Sequence, residues 1–200
     1  MVDAMEFGDL IRKRRMVRNY TSEPVDGAVL ERIASSMLRI PSAGFTQGVA
    51  VVVVTDQERR ARIADLAGEE HYTASGFEPW ISKAPAHIAI CVSEADYRRR
   101  YAEPDKGSVS EADQDWPVPY WWVDGGAAMM LGLLAAVDEG LVAGFLGVHS
   151  VAGLAEALGL PDGVSPIGVM TVGHPAPDRP STSLARGRRQ DRIHWERWAE

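Results

Sequence analysis

An α+β architecture follows from three features of this 200-residue chain. The continuous β-branched run VAVVVVT at 49–55 has the length and continuity of a strand buried on both faces, and AHIAICV at 86–92 reads as a second strand. Segments with the apolar period of helices lie before, between and after them. Strands and helices then alternate without a strict βαβ rhythm, which sets the chain apart from doubly wound parallel folds. No internal repeat and no linker-like stretch divides the sequence, so residues 1–200 are expected to form one domain.

Near the start, MEFGDLIRKRRM (5–16) places Phe7, Leu10 and Ile11 on one helical face. Pro24 interrupts the chain. Asp26 is a good N-cap for a second helix over 27–39, with Val29, Leu30, Ile33 and Leu38 as its apolar positions. PSAGFTQG (41–48) has the proline, serine and glycines of a loop. A polar helix is expected at about 57–67, between the two strands. From about 94 to 118 the periodicity vanishes into a charged segment with prolines at 104, 117 and 119, which reads either as disorder or as an ordered lid. The run DGGAAMMLGLLAAVDEG (124–140) holds a helix apolar on nearly all sides, which must be enclosed. Its Gly125, Gly126, Ala127, Ala128 and Gly132 permit close approach of a neighbour. LVAGFLGV (141–148) is a short strand, VAGLAEALGL (151–160) a helix stopped by Pro161, and SPIGVMTVG (165–173) a further strand. A basic tail ending in aromatics follows.

With 46% hydrophobic and 24% charged residues, the chain can bury a sizeable core. Its net charge of −7 speaks against a general nucleic-acid binder, whose footprint is a broad basic face. The single cysteine, Cys91, leaves no internal disulfide and no cysteine-rich zinc site, and its apolar setting favours an inert thiol over a nucleophile. The apolar run 125–137 is shorter than a membrane span. Asp3, Glu6 and Asp9 stand where a secretory leader would be cationic and then apolar, so a cytoplasmic location is expected. The sequence has no Walker loop, no GxGxxG after a strand, no GxSxG elbow and no histidine pair at i, i+4.

Against that acidic background, RKRRMVR (12–18) concentrates Arg12, Lys13, Arg14, Arg15 and Arg18. Cations in a last helical turn complement the helix dipole, which accounts for one or two of them. Five crowded cations repel one another, and a dianionic phosphate relieves that repulsion through forked, charge-assisted hydrogen bonds. Of the 21 basic residues only Lys13, Lys83 and Lys106 are lysine, and arginine gathers again at 59–62, 98–100 and 179–197.

RKRRMVRNYTSEPVD (12–26), followed by RIPSAGFTQGVAVVVV (39–54), resembles the start of the nitroreductase family of flavin enzymes. The likeness continues in order through the small-residue helix, DEGLVAGFLGV, a strand ending in VGHP, and RGRRQDRIHWERW. No one of these motifs is strong; the ordered set is. The resemblance implies a mainly antiparallel sheet surrounded by helices, an intertwined homodimer, and FMN held non-covalently between subunits. It puts Arg14 and Arg15 at the phosphate and ribityl chain, and Met16 where the family often has serine, so that only its backbone can serve. Arg18 falls at the pyrimidine side of the ring, Pro41 and Ser42 come from the other subunit, and Gln47 lies near the ring. Leu146 and Gly147 offer backbone groups at the flavin N5 edge. Arg186 and Arg188 return to the phosphate, with Arg189 as a competing choice. The implied chemistry is ping-pong hydride transfer from NAD(P)H through N5 to a small electron-poor acceptor, a nitroaromatic or quinone, with no side chain as catalytic acid. Residues 97–122, with Tyr101, Trp116, Tyr120 and Trp121, form either a substrate-facing wall or packing in the dimer interface.

This chain departs from the family pattern at Phe45, where the usual asparagine would reach the flavin O2/N3 edge, and at Gly48-Val49, which replace a common Pro-Trp. Phe45 can instead stack on the ring or line the pocket. Three rival readings stay open: a deazaflavin or flavin-consuming enzyme, a flavin-binding protein that stores or senses without turnover, and a basic interaction module with no cofactor.

Overall fold

In the computed structural model the described residues are 5–107 and 115–198. Four antiparallel strands form one sheet in the order β1-β2-β4-β3: β1 is Val49–Val54, β2 Ala86–Ser93, β3 Val142–Gly147 and β4 Val164–Gly173. The central pair is in register through Ile88 opposite Met170, and a bulge interrupts it between Ile90 and Cys91. β2 is buried along nearly its whole length because helices cover both faces of the sheet. On one face Ile88, Ile90, Met170 and Val172 meet helix α2 (Gly27–Met37) and the long α7 (Tyr120–Asp138). On the other, Ala89, Cys91, Leu146 and Val169 pack with α3 (Gln57–Leu66), α5 (Trp80–Lys83) and α8 (Leu154–Leu158). Helices α1 (Phe7–Lys13), α4 (Glu69–Ala74) and α6 (Glu94–Tyr101) flank these layers. The α+β expectation holds, as does the buried thiol: burial pushes Cys91 up to about 11.

Several elements differ from the sequence reading. β1 is an edge strand in which Val54 alone is fully buried, so its unbroken valine run does not mark burial on both faces. Residues 94–101 form α6 despite the absence of an apolar period. The helix is capped by Ser93, whose hydroxyl accepts from Asp96 N–H at 3.3 Å, and is supported by the Glu94–Arg98 pair at 2.7 Å. It contributes only Tyr97 to the fully buried set. Residues 108–114 of the charged segment lie outside the described residues, as do Asp3 and the last two residues of the tail. Helix α7 starts at Tyr120 rather than near 125, behind Pro119, and so takes in Trp121 and Trp122. Its 19 residues are long and apolar enough to cross a membrane by composition, which removes the argument from shortness. Packing seats one face of it in the core and leaves Trp122, Val123 and Met130 exposed, so the helix is not enclosed on all sides within this chain. Its buried positions Trp121, Asp124, Gly125, Ala128, Gly132, Leu133 and Ala136 recur at helical spacing. A β-carbon on Gly132 would lie 2.9 Å from the Met37 side chain of α2. Gly153, at φ +80°, delays the last helix to Leu154–Leu158.

His87 sits in β2 with no exposed surface. One ring nitrogen, Nε2, donates to the Ile81 carbonyl at 2.8 Å, while Nδ1 has no partner among the described residues. Burial, partly offset by that hydrogen bond, lowers its pKa to about 4 from an ordinary 6.5. The folded state therefore resists a proton that the unfolded chain accepts. The stability tied to this group is complete above pH 6.5 and is lost as pH falls toward 4, by roughly 3 kcal/mol. Urea unfolding at pH 7, 5.5 and 4.5 will show a shallower acid loss in His87→Leu than in the parent chain.

Candidate functional site

The arginines of 12–18 are placed by backbone pairing. Beyond α1 the chain runs extended beside β3: Val17 N–H donates to Ala143 O at 3.0 Å, and Met16 bridges Ala143 in parallel. Gly144 makes this approach possible, since a β-carbon there would lie 2.5 Å from Val17 O. The buried Tyr20 hydroxyl shares a 2.7 Å hydrogen bond with Thr171 Oγ1 and donates to Val17 O at 3.0 Å. Burial raises the Tyr20 pKa, so it stays a neutral phenol. The chain leaving β4 returns alongside: Tyr20 bridges Pro175, Asn19 Nδ2 donates to Pro177 O at 2.7 Å, and Arg18 N–H donates to Asp178 Oδ1 at 3.2 Å.

Between these two segments opens a cleft of about 410 Å³. Arg12, Arg14, Arg15, Arg18 and Arg188 line it with Met16, Ser181 and Leu184, and among the described residues Asp178 supplies the one carboxylate. Sequence-distant cations, Arg14 and Arg188, thus meet in one place. Among the described residues no carboxylate pairs with the side chains of Arg14, Arg15 or Arg188, whereas Arg12 is held by Asp9 at 2.5 Å. The Arg18 guanidinium is steered by cation–π contacts, 5.8 Å from the Phe77 ring centroid and 5.7 Å from that of Trp80. Arg186 ends the 3₁₀ turn Thr182–Arg186 and is not among the cleft's lining residues, nor is Arg189. Such a cleft suits an anion with several acceptor oxygens.

Leu146 and Gly147 lie at the end of β3, with the Leu146 side chain in the core. They do not line the arginine cleft; four residues of strand, roughly 13 Å, separate Gly147 from Ala143 at its edge. Pro41, Ser42, Phe45 and Gln47 lie in another region of the chain, on the loop before β1. There Ser42 and Gln47 line a smaller cavity of about 270 Å³ with Leu38, Ile40 and Val49. The predicted aromatic residues gather beneath this loop. Trp116 meets Tyr101, Trp121 and Tyr120 at centroid distances of 4.8, 5.5 and 6.3 Å. Trp121 is buried and serves packing, while Tyr120 remains exposed.

The curated and structural relatives agree on the lineage. The model of the nitroreductase family matches residues 11–174. The chain belongs to that family. It is 34% identical to the FMN reductase [NAD(P)H] of Bacillus subtilis over 171 residues, covering 81% of this chain and 63% of the relative. It is 30% identical to the NADPH-flavin oxidoreductase of Vibrio harveyi over 170 residues, covering 84% and 65%. The chain therefore spans less than two thirds of the length of either relative. Nitroreductase A of Vibrio parahaemolyticus has the same fold, with a TM-score of 0.72, 28% identity, and coverage of 98% of this chain and 78% of that structure.

Two residues of this nitroreductase-family chain were not anticipated. Asp178 carries no sequence signal; its role comes from the return of the chain past β4. Asp124 reads in sequence as a charge bounding an apolar run, but it is only 6% exposed. Its Oδ2 accepts from Tyr97 Oη–H at 2.7 Å and from Ala43 N–H at 2.9 Å, tying α7, α6 and the 41–48 loop together. Burial and the Asp124 carboxylate raise the Tyr97 pKa, so the phenol remains a donor. Asp124→Ala strands both donors and is expected to cost about 2–4 kcal/mol in urea unfolding. Asp124→Asn keeps one acceptor and should recover part of that loss.

Proposed function

We propose that this chain is an NAD(P)H-dependent flavin oxidoreductase that holds FMN between two copies of itself. The observation that carries the reading is the convergence of Arg14, Arg15 and Arg188 in one cleft, where no described carboxylate pairs with any of the three and Asp178 accepts from Arg18 N–H instead. The donor set fits the group: forked guanidinium groups match a terminal phosphate, and Ser181 adds a hydroxyl. In this reading Arg14, Arg15 and Arg188 hold the phosphate end, with Arg188 preferred over Arg186 and Arg189 because it alone of the three lines the cleft. Met16 offers backbone groups. Arg18, oriented by Phe77 and Trp80, places positive charge toward the pyrimidine side of the ring. Leu146 and Gly147 present backbone beyond the end of the arginine cleft. Pro41, Ser42, Phe45 and Gln47 approach from the second copy, with Tyr101, Trp116 and Tyr120 behind them on the substrate side. Bound FMN supplies a two-electron carrier between NAD(P)H and an electron-poor acceptor such as a nitroaromatic or quinone. The chain's own part is to bind, orient and exclude water, and no side chain is assigned a proton transfer.

The second copy is supported by an exposed apolar face. Trp122, Val123 and Met130 of α7 are exposed, as are Phe7 and Ile11 of α1, which packs against α7. One domain over 1–200, acting as a homodimer in the cytoplasm, accords with this reading. The names of the Bacillus subtilis and Vibrio harveyi relatives support the flavin and nicotinamide assignment.

Purified protein should be yellow or turn yellow with FMN, and should sediment as a dimer. Arg14→Ala and Arg188→Ala are each expected to raise the FMN Kd about tenfold or more, with melting temperatures near the parent value. Fluorescence titration at low and high salt checks this. A parent protein that ignores FMN, or variants that melt early yet bind normally, defeat the reading. Steady-state oxidation of NADH or NADPH with a quinone then separates an enzyme from a storage protein.

A further inference from the structure

Arg18 is held differently from the other arginines of the cleft. Its guanidinium meets two aromatic rings, Phe77 at 5.8 Å and Trp80 at 5.7 Å from the centroids, and among the described residues it donates to no acceptor. A cation–π contact holds the group through its flat face, so its in-plane N–H donors and its charge stay available. The backbone end is fixed as well, where Arg18 N–H meets Asp178. Beneath the guanidinium the platform is rigid. Trp80 opens α5 and is 1% exposed. Tyr72 meets its ring edge-on, with centroids 5.9 Å apart and planes at 82°. A β-carbon on Gly144 would lie 3.1 Å from Trp80 Cζ3, so β3 packs against the same ring. The four residues of α5 are too few to hold themselves as a helix, and side chains from three other elements pin them. Glu69 of α4 accepts from Ile81 N–H at 2.5 Å and from Ser82 N–H at 3.0 Å. Arg60 of α3 donates to Ser82 O at 3.1 Å and to Ala84 O at 2.6 Å, and His87 of β2 donates to Ile81 O at 2.8 Å. Phe77 stands on the turn between α4 and α5, where Gly76 at φ +84° reverses the chain and Phe77 N–H donates to Tyr72 O at 3.1 Å.

We infer that Phe77 and Trp80 are positioning residues, which hold Arg18 where its charge sets the reduction potential of the bound ring. The inference rests on the flavin reading above, which supplies that ring. Arg14, Arg15 and Arg188 serve a phosphate whose charge is the same in both redox states, so they hold both states alike. A flavin ring gains negative charge at its pyrimidine side on reduction, and a fixed cation there favours the reduced state. An unsupported arginine side chain would spread its charge over many rotamers. A carboxylate partner would fix it but cancel much of the charge. Two rings on a pinned mount fix it and leave the charge whole.

The midpoint potential of bound FMN, read by equilibration with a reference dye, is independent of turnover. Phe77→Leu keeps apolar bulk and removes the ring face. It should weaken reduced FMN about tenfold while the oxidised FMN Kd and the melting temperature stay near the parent values. That ratio lowers the two-electron potential by about 30 mV. Phe77→Tyr restores the face and should restore the potential. Trp80→Phe keeps a smaller ring and should shift the potential the same way by less. Phe77→Leu made in an Arg18→Gln background should move the potential no further, because the ring acts through the guanidinium. A parent-like potential in a Phe77→Leu protein that binds FMN overturns the inference and leaves the flavin reading intact. A full shift in the Arg18→Gln background also overturns it, since the ring then acts on the flavin without Arg18. Oxidised and reduced FMN weakened alike mark a packing role and overturn it too. A parent chain that binds no FMN overturns both readings.

Discussion

The contact of Val17 with β3 is the constraint on which the site depends. A backbone hydrogen bond to Ala143 and a glycine at 144 bring the segment after α1 against the sheet edge. Tyr20 then locks it by reaching Thr171 in the neighbouring strand. Arg14, Arg15 and Arg18 are thereby fixed relative to β3 and to the chain that leaves β4. That second segment is drawn in by Asn19 and by Asp178, and Arg188 follows. The cleft is the space left between two strands of chain that the sheet edge holds together.

Electrostatics and packing pull in opposite directions here. Guanidinium groups in one cleft repel, and the fold does not neutralise them with a matching set of carboxylates. The cost is held by neutral, buried anchors nearby, the Tyr20–Thr171 pair and the aromatic rings under Arg18. A site built this way keeps its charge available for an incoming anion.

Helix α7 links the other half of the molecule. Its small residues let it lie close to α2 and to β2, and its Asp124 reaches out of the core to hold the 41–48 loop. Loop geometry at 44–47 is therefore set from α6 and α7, well away from it in sequence. Its left-handed residues persist because bonds from both helices over-determine them.

Much of this was legible in the sequence. The apolar runs located β1, β2 and β4 and the long helix α7, because unbroken apolar segments of those lengths belong to strands and helices that pack on a core. The cationic segment and the basic tail also announced themselves as unusual concentrations of like charge, and the structure brings Arg14, Arg15, Arg18 and Arg188 to one cleft. Other features required the tertiary structure. α6 is held by a cap and ion pairs, which leave no apolar period to read. β1 lies at the sheet edge, which its valines cannot reveal. The choice of Arg188 over Arg186 depends on how the 3₁₀ turn at 182–186 rotates the tail past the cleft. Asp124 looks like a surface charge until Tyr97 and Ala43 arrive from elsewhere to share its oxygen. Sequence fixes what each residue can do locally, through period, charge and propensity; which distant partners it meets is decided by the packing of the whole chain.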